Sequence, residues 1–240
     1  MIRFRPLLVQ TLWLVPGVAL MLGLGVWQIE RLHQKEALIA SVSAGMRAPP
    51  VPLEEALRSG AANAEWHHVT VNGHFLHDRE AYLFAQSRTE GGLGVQVITP
   101  LVQPDGKAVL VDRGFVPQAL KDPSTRSSGQ VAGEISLTGV LRLSQQPGMF
   151  TPAADAKSRL WFVKNVPEIA AAADVTVDVP LVVEADATAN PGGWPKGGQT
   201  VIDFPNDHLQ YALTWFGLAL TLAGVYLAYH RSLGRLSFGR

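Results

Sequence analysis

The 240-residue chain contains no cysteine. Disulfide bonds, thiolate metal sites and catalysis by a cysteine nucleophile are therefore excluded, and an oxidising compartment is allowed without being required. The sequence also lacks a zinc-protease helix, a phosphate-binding loop, a dinucleotide-binding fingerprint and a nucleophilic serine elbow. These absences make a membrane-anchored hydrolase improbable, and we expect a protein that is not an enzyme.

Acidic residues are missing from both ends of the chain. All 20 lie between Glu30 and Asp207, and five of the 20 basic residues lie outside that stretch: Arg3, Arg5, Arg231, Arg235 and Arg240. The formal net charge is zero, so whole-chain charge predicts no nucleic-acid partner. The distribution instead pairs two basic tails with an acidic middle.

Two long apolar segments without charged residues lie near the two ends, at residues 7–29 and 209–229. At about 1.5 Å per residue, each is long enough to cross a bilayer core of about 30 Å. Pro16 is tolerated in a membrane-spanning helix. A cleaved signal peptide is the alternative for the first segment, but the segment is too long and no cleavage site follows. A buried core helix is the alternative for the second, and its length argues against that.

The basic tails predict the orientation, because positive residues favour the cytoplasmic side. We expect two transmembrane helices, 7–29 and 209–229, cytoplasmic tails at 1–6 and 230–240, and an extracytoplasmic domain at 30–208. That domain would lie in a periplasm or an equivalent intermembrane space. A sensor needs a cytoplasmic output domain, and eleven residues after Tyr229 are too few for one.

The middle region is dominated by short runs in which apolar and polar residues alternate. A helix from residue 30 to about 48 is predicted to stop at Pro49, with short helices at 53–57 and 167–173. Strands are predicted at 69–75, 81–84, 95–102, 108–116, 133–143, 160–163 and 179–185. The first two are expected to form a hairpin with a turn near His77, and the third and fourth a hairpin with a turn at 103–106. Along the fourth strand, Val109 and Val111 are expected to face the core and Leu110 the opposite side. This pattern predicts a mainly antiparallel β (α+β) domain. Residues 121–129 are expected to be a flexible loop and 191–199 a glycine-rich linker.

Four histidines cluster near the first two strands: His67, His68, His74 and His77. Strand periodicity places His68 and His74 on one face and His67 on the other. A metal site is one interpretation. A solvated strand face, with Thr70 and Asn72 beside the imidazoles, is the other and the commoner one.

His208 lies at the start of the second apolar segment. Asn206 or Asp207 can cap that helix, and the positive end of the helix dipole favours the neutral imidazole that binds metals. Tyr211 and Trp215 lie three and seven residues further along, on the same helical face. Two aromatic rings below a neutral histidine suit a flat apolar ring with a central metal, which describes haem. Interfacial His, Tyr and Trp residues acting only as membrane anchors are the open alternative.

Motifs throughout the chain resemble the surfeit locus protein 1 family. They are LGLGVWQIERLHQK, GHFLHDREAYL, VLVDRGFVP, GEISLTGVLRL, LWFVKNVP, PGGWPKGGQT and NDHLQYALTWFGLAL, in that order. Residues 46–63 carry no such signature. The resemblance implies an assembly factor for haem-copper cytochrome c oxidase, in a bacterial inner membrane, with its main domain in the periplasm.

The resemblance also implies a cofactor, a site and partners. Haem a would bind through His208 as axial ligand, with Tyr211 and Trp215 beside it, on its way from haem a synthase to the oxidase large subunit. A membrane chaperone that stabilises oxidase subunits without binding haem is the alternative. Residues with a possible role in partner contact are Trp27, Arg113, Gly114, Phe115, Gly192 and Gly193. For Arg113 the structural interpretation, in which it balances nearby acids, is favoured, and Gly114 would permit a bulge.

Overall fold

The computed structural model describes residues 2–87, 90, 92–200 and 204–238. It divides into two compact units, one formed by Met1–Ser41 with Asp203–Arg240 and the other by Val42–Ile202. The described α-helices are α1 (Leu8–Arg47), α2 (Leu53–Leu57), α3 (Ala61–Ala64), α4 (Val166–Ala172) and α5 (His208–Ser232). The described strands are β1 (Ile2–Phe4), β2 (Val51–Pro52), β3 (His68–Phe75), β4 (Ala81–Gln86), β5 (Leu93–Val102), β6 (Ala108–Pro117), β7 (Ile135–Leu143), β8 (Leu160–Trp161), β9 (Val177–Ala185) and β10 (Leu236–Phe238).

The first unit is a pair of helices that run in opposite directions. Near one end the backbone N–H of Leu7 donates to His230 Nε2 at 3.1 Å, and near the other Gly25 lies against the ring of Phe216. Beyond the helices, β1 and β10 pair antiparallel. Both helices are long and apolar enough to cross a membrane, judged by length and composition. Helix α1 continues to Arg47, which confirms the predicted helical continuation.

The second unit is built on a sheet with the strand order β2-β3-β7-β9-β6-β5-β4-β8. An additional pairing of β3 with β5 closes the five central strands into a barrel. Along β6, Val109 and Val111 point into the barrel core, where β3, β7 and β9 also contribute apolar side chains. Leu110 points the other way, onto α4. The predicted alternation along this strand is confirmed, and both faces of the strand are buried.

Helix α4 covers the outer face of the barrel because its sequence both starts a helix and presents an apolar side. The side-chain oxygen of Asn165 accepts from the backbone N–H of Glu168, and Pro167 occupies the first turn, where a missing N–H costs nothing. Val166 and Ile169 then bury their side chains in the second apolar cluster. The chain crosses over through α4 before β9, which is how β9 comes to lie parallel to β6.

The sheet is mainly antiparallel, as expected, and β2–β3, β4–β8 and β6–β9 are its parallel pairs. Two expectations about this domain need correction. Strands β3 and β4 do not form a hairpin with each other, since each pairs with β5. Residues 121–129 are not a free loop, because Pro123–Gly129 forms a 3₁₀ segment in which Arg126 is buried. The predicted hairpin of β5 and β6 is confirmed.

Candidate functional site

His208 is the first residue of α5, as expected, but the helix start is not capped by a side chain. Asp207 is the N-cap residue and makes no side-chain capping hydrogen bond. Its backbone carbonyl instead accepts from the N–H of Tyr211 at 3.1 Å. The predicted side-chain cap was therefore wrong, because Asp207 adopts φ −91° and ψ 8° and not the extended conformation that side-chain capping usually requires.

The His208 ring is held by a hydrogen bond to the neighbouring helix. Its Nδ1 lies 2.7 Å from Oε1 of Gln28 on α1. An amide oxygen can only accept, so Nδ1 carries the proton in the neutral imidazole. Nε2 is then the nitrogen with a free lone pair, and no described residue hydrogen-bonds to it. This arrangement provides one imidazole ligand to a metal.

Tyr211, Ala212 and Trp215 follow His208 along α5. Ala212, one turn further along, is completely buried. Tyr211 is 56 % exposed and Trp215 is half-buried. The structure thus joins His208 to α1 by one side-chain hydrogen bond and leaves the two aromatic rings partly exposed.

Helix α1 carries aromatic and cationic groups near Gln28. Trp27 is 46 % exposed, and the guanidinium of Arg31 lies 5.6 Å from the centre of its ring. The ammonium of Lys35 lies 5.1 Å from the ring centre of Phe204, just before α5. Two cations, Arg31 and Lys35, therefore follow Gln28 at spacings of three and seven residues, which places all three on one face of α1.

The described residues contain no group of three or more His, Cys, Asp or Glu side chains able to hold a metal ion. The four clustered histidines do not form a metal site there. His68 Nδ1 contacts the carbonyl of Ala48 at 3.0 Å, and His77 Nε2 contacts that of Val131 at 2.9 Å. A metal at His208 would thus need its remaining ligands from elsewhere. A porphyrin supplies four nitrogens of its own, so a single imidazole fits haem better than a free ion.

Arg113 lies inside the second unit, in a charged cluster around Glu80. Its guanidinium is 2 % exposed, contacts the Glu80 carboxylate at 3.4 Å and donates to the carbonyl of Gly129. It also lies 4.7 Å from the ring centre of Phe75. A buried side chain cannot form an exposed contact surface, so the interpretation in which Arg113 balances acidic groups fits its position.

Gly114 and Phe115 join β6 to the glycine-rich segment. The backbone N–H groups of Phe115 and Lys196 each donate to the other's carbonyl at 2.9 Å. Gly114 has φ +114°, and an added Cβ would collide with the backbone of Lys196. The Phe115 side chain is buried. Gly114 therefore permits close backbone approach, and residues 191–199 are attached to the sheet and are not a plain linker.

Gly192 and Gly193 shape a 3₁₀ turn, Pro191–Gly193, with φ +74° and +76°. A Cβ at Gly192 would meet the side chain of Ser128, within the 3₁₀ segment that carries Arg126. Both glycines thus have a local structural use in the second unit.

Sequence reasoning missed Gln28, Glu80 and Arg126. The signal for Gln28 was present, because it is one of two glutamines in an uncharged apolar segment, and polar groups there usually have a partner. Nothing in the local pattern around Glu80 or Arg126 distinguishes them from surface charges.

Residues 15–220 match the SURF1 family. The chain is 37 % identical over 221 residues to surfeit locus protein 1 of Mus musculus, covering 86 % of this chain and 70 % of the relative. It is 36 % identical over 223 residues to surfeit locus protein 1 of Homo sapiens, covering 87 % and 72 %. A SURF1-like protein of Monosiga brevicollis is 38 % identical over 213 residues, covering 84 % and 80 %. Gln28 and His208 both lie within the matched residues.

Proposed function

Because the chain belongs to the SURF1 family, we propose that it is a membrane-anchored, non-enzymatic assembly factor for a haem-copper cytochrome c oxidase. Its cargo is haem a, received from haem a synthase and delivered to the large catalytic subunit. The observation that carries this proposal is the hydrogen bond from Nδ1 of His208 to Gln28, which leaves Nε2 free to bind iron.

Membrane anchoring is supported by the surface of the helix pair. Leu8, Trp13 and Leu220 are each more than 70 % exposed on helices without charged residues in their apolar stretches. Such surface is unfavourable in water and favourable in lipid. Strands β1 and β10, which pair with each other, lie at one end of the helix pair, in accord with two cytoplasmic tails, a periplasmic main domain and a bacterial inner membrane.

Haem would be held by three kinds of contact. His208 would supply an imidazole ligand to the iron, and the rings of Tyr211 and Trp215 would supply apolar packing. Arg31 and Lys35 would supply positive charge for the two propionates, which are also favoured near a helix N-terminus. One protein ligand with apolar contacts suits a carrier, because the cargo must be retained against loss to lipid and still be released.

A second candidate is a chaperone that stabilises oxidase subunits without carrying haem. It is favoured by Met149 and Phe150, which are 92 % and 93 % exposed at one loop of the second unit. Adjacent exposed apolar side chains of this size are typical of a protein contact. The two candidates differ in whether haem co-purifies.

The deciding experiment is purification from cells that make haem a, followed by a visible spectrum and extraction of the pigment. We expect bound haem a in the native protein. His208→Ala should remain inserted and folded but lose most of the haem, and the oxidase should accumulate with poorly occupied haem a sites. His74→Ala, which changes an exposed histidine, is the matched control and should retain the haem. Full haem content and an unchanged spectrum in His208→Ala would reject the assignment.

A further inference from the structure

We propose that Gln28 is a positioning residue, which orients the His208 ring, selects its tautomer and thereby tunes the strength of the iron ligand. The inference rests on the proposed haem site. Gln28 and His208 are 180 residues apart in the chain, and their side chains meet at 2.7 Å between two helices. Gln28 is 9 % exposed, so water does not compete effectively for its amide oxygen.

The tautomer follows from the chemistry of the two groups. A neutral imidazole has one N–H, and the oxygen of Gln28 can only accept it. Placing the proton on Nδ1 directs the lone pair of Nε2 away from α1. A hydrogen-bond acceptor on Nδ1–H also makes Nε2 more basic, as the partners of metal-bound histidines commonly do.

The contact depends on the length of the Gln28 side chain. Gly25, one turn before Gln28 on α1, lies against the ring of Phe216, so the two helices face each other at this level. The side chain of Gln28 crosses the space between them and contacts one edge of the imidazole.

An amide suits a carrier better than a carboxylate would. A buried carboxylate costs more to desolvate and would polarise the imidazole more strongly, giving a firmer iron bond. A neutral acceptor fixes the ring with a weaker effect on ligand strength. Gln28 would in this way set haem affinity at a level compatible with release.

The first test uses the haem-free full chain in detergent, with ¹⁵N-labelled histidine. The His208 signals, assigned by their loss in His208→Ala, should report an Nδ1–H tautomer. Gln28→Glu keeps an acceptor of equal length and should keep this tautomer, whereas Gln28→Met should lose it. Gln10→Met, in the other glutamine of the same segment, should change nothing at His208. The same His208 tautomer in Gln28→Met as in the native chain would overturn the proposal.

The second test adds haem to the protein and measures the affinity for haem and the midpoint potential of the bound haem. Gln28→Met should weaken haem binding by about 10- to 100-fold, the usual effect of losing such a partner. It should also raise the midpoint potential, since a less basic ligand stabilises ferric iron less. Gln28→Glu should lower the potential. A residue that only fills space would not move the potential in opposite directions, so equal potentials in the three proteins would refute the tuning role.

The two failures are distinguishable. If His208→Ala keeps its haem, both the proposed haem site and the tuning of the iron ligand by Gln28 are rejected. If His208→Ala loses haem while Gln28→Met matches the native protein in tautomer, affinity and potential, the haem site stands and only the role of Gln28 is rejected.

Discussion

The Arg126 guanidinium donates to the Glu80 carboxylate at 2.5 Å, and both side chains are almost fully buried although they are 46 residues apart. Arg113 contacts the same carboxylate, so two buried cations share one anion. Burial alone raises the pKa of Glu80, but the neighbouring His77 imidazole and the hydrogen bonds from Arg126 outweigh it and lower the pKa to about 2. The buried pair of Glu80 and Arg126 ties the 3₁₀ segment Pro123–Gly129 to the barrel.

This pKa shift predicts an acid-sensitive stability. The ordinary pKa of the group is 4.5, so the folded state gains stability from the ionised carboxylate above that pH. The gain is lost as pH falls from about 4.5 toward 2, because the unfolded chain takes up the proton first. Urea unfolding of the full chain in detergent, repeated at pH values between 2 and 7, should show this loss of unfolding free energy.

Glu80→Gln should remove that part of the pH dependence. It should also lower stability at pH 7 by about 3–5 kcal/mol, since two buried arginines lose their counter-charge. Glu134→Gln, at an exposed carboxylate, is the control and should keep the native pH profile. A Glu80→Gln protein with native stability at pH 7 and an unchanged acid transition would contradict the ionic role of Glu80.

Gly114→Ala should destabilise the barrel domain. The backbone conformation alone, at φ +114°, costs a residue with a side chain about 1–3 kcal/mol. The added methyl group would also collide with the backbone of Lys196, so the measured loss of unfolding free energy should exceed that range. Gly106→Ala is the matched control, because Gly106 has φ +85° in a turn with open space around it. Equal losses in the two variants would show that close approach to Lys196 is unimportant.

The topology can be tested with reporters. A reporter active only in the cytoplasm should work when fused after Arg240, because the pairing of β1 with β10 places the strands before α1 and after α5 at the same end of the helix pair. A periplasmic reporter should work when inserted between Met149 and Phe150, which are highly exposed. The opposite pattern would invert the proposed orientation. Ser127 is a poor insertion site because it lies in the 3₁₀ segment Pro123–Gly129, beside buried Arg126.

Tyr211→Ala and Trp215→Ala should weaken haem binding without abolishing it. Each removes apolar contact worth about 1–2 kcal/mol, roughly a five- to thirtyfold increase in Kd, and leaves the iron ligand in place. Spectral titration with haem measures this. Leu220→Ala, at an exposed position further along α5, should bind haem as the native protein does. Native affinity in both aromatic variants would remove these rings from the site.

Local sequence patterns predicted most of the helices and strands but few of the pairings between strands. Apolar length identified both long helices, and alternation identified the strands now seen as β3 to β7 and β9. Which strands pair with each other could not be predicted in the same way. The parallel pairing of β6 with β9 and the closure of β3 on β5 depend on contacts between segments that are distant in the chain. Such contacts depend on which faces pack together, and periodicity within one segment does not contain that information.

The sequence by itself determined that two uncharged apolar segments flank a β-rich domain along the chain and that His208 begins the second helix, because hydropathy and periodicity act over neighbouring residues. Only the tertiary structure decided that Gln28 meets His208 and that Glu80 gathers Arg113 and Arg126. In each case a polar group became important because folding removed it from water and left it only protein groups as partners. That pairing is a property of the packed chain, and the residue types alone do not specify it.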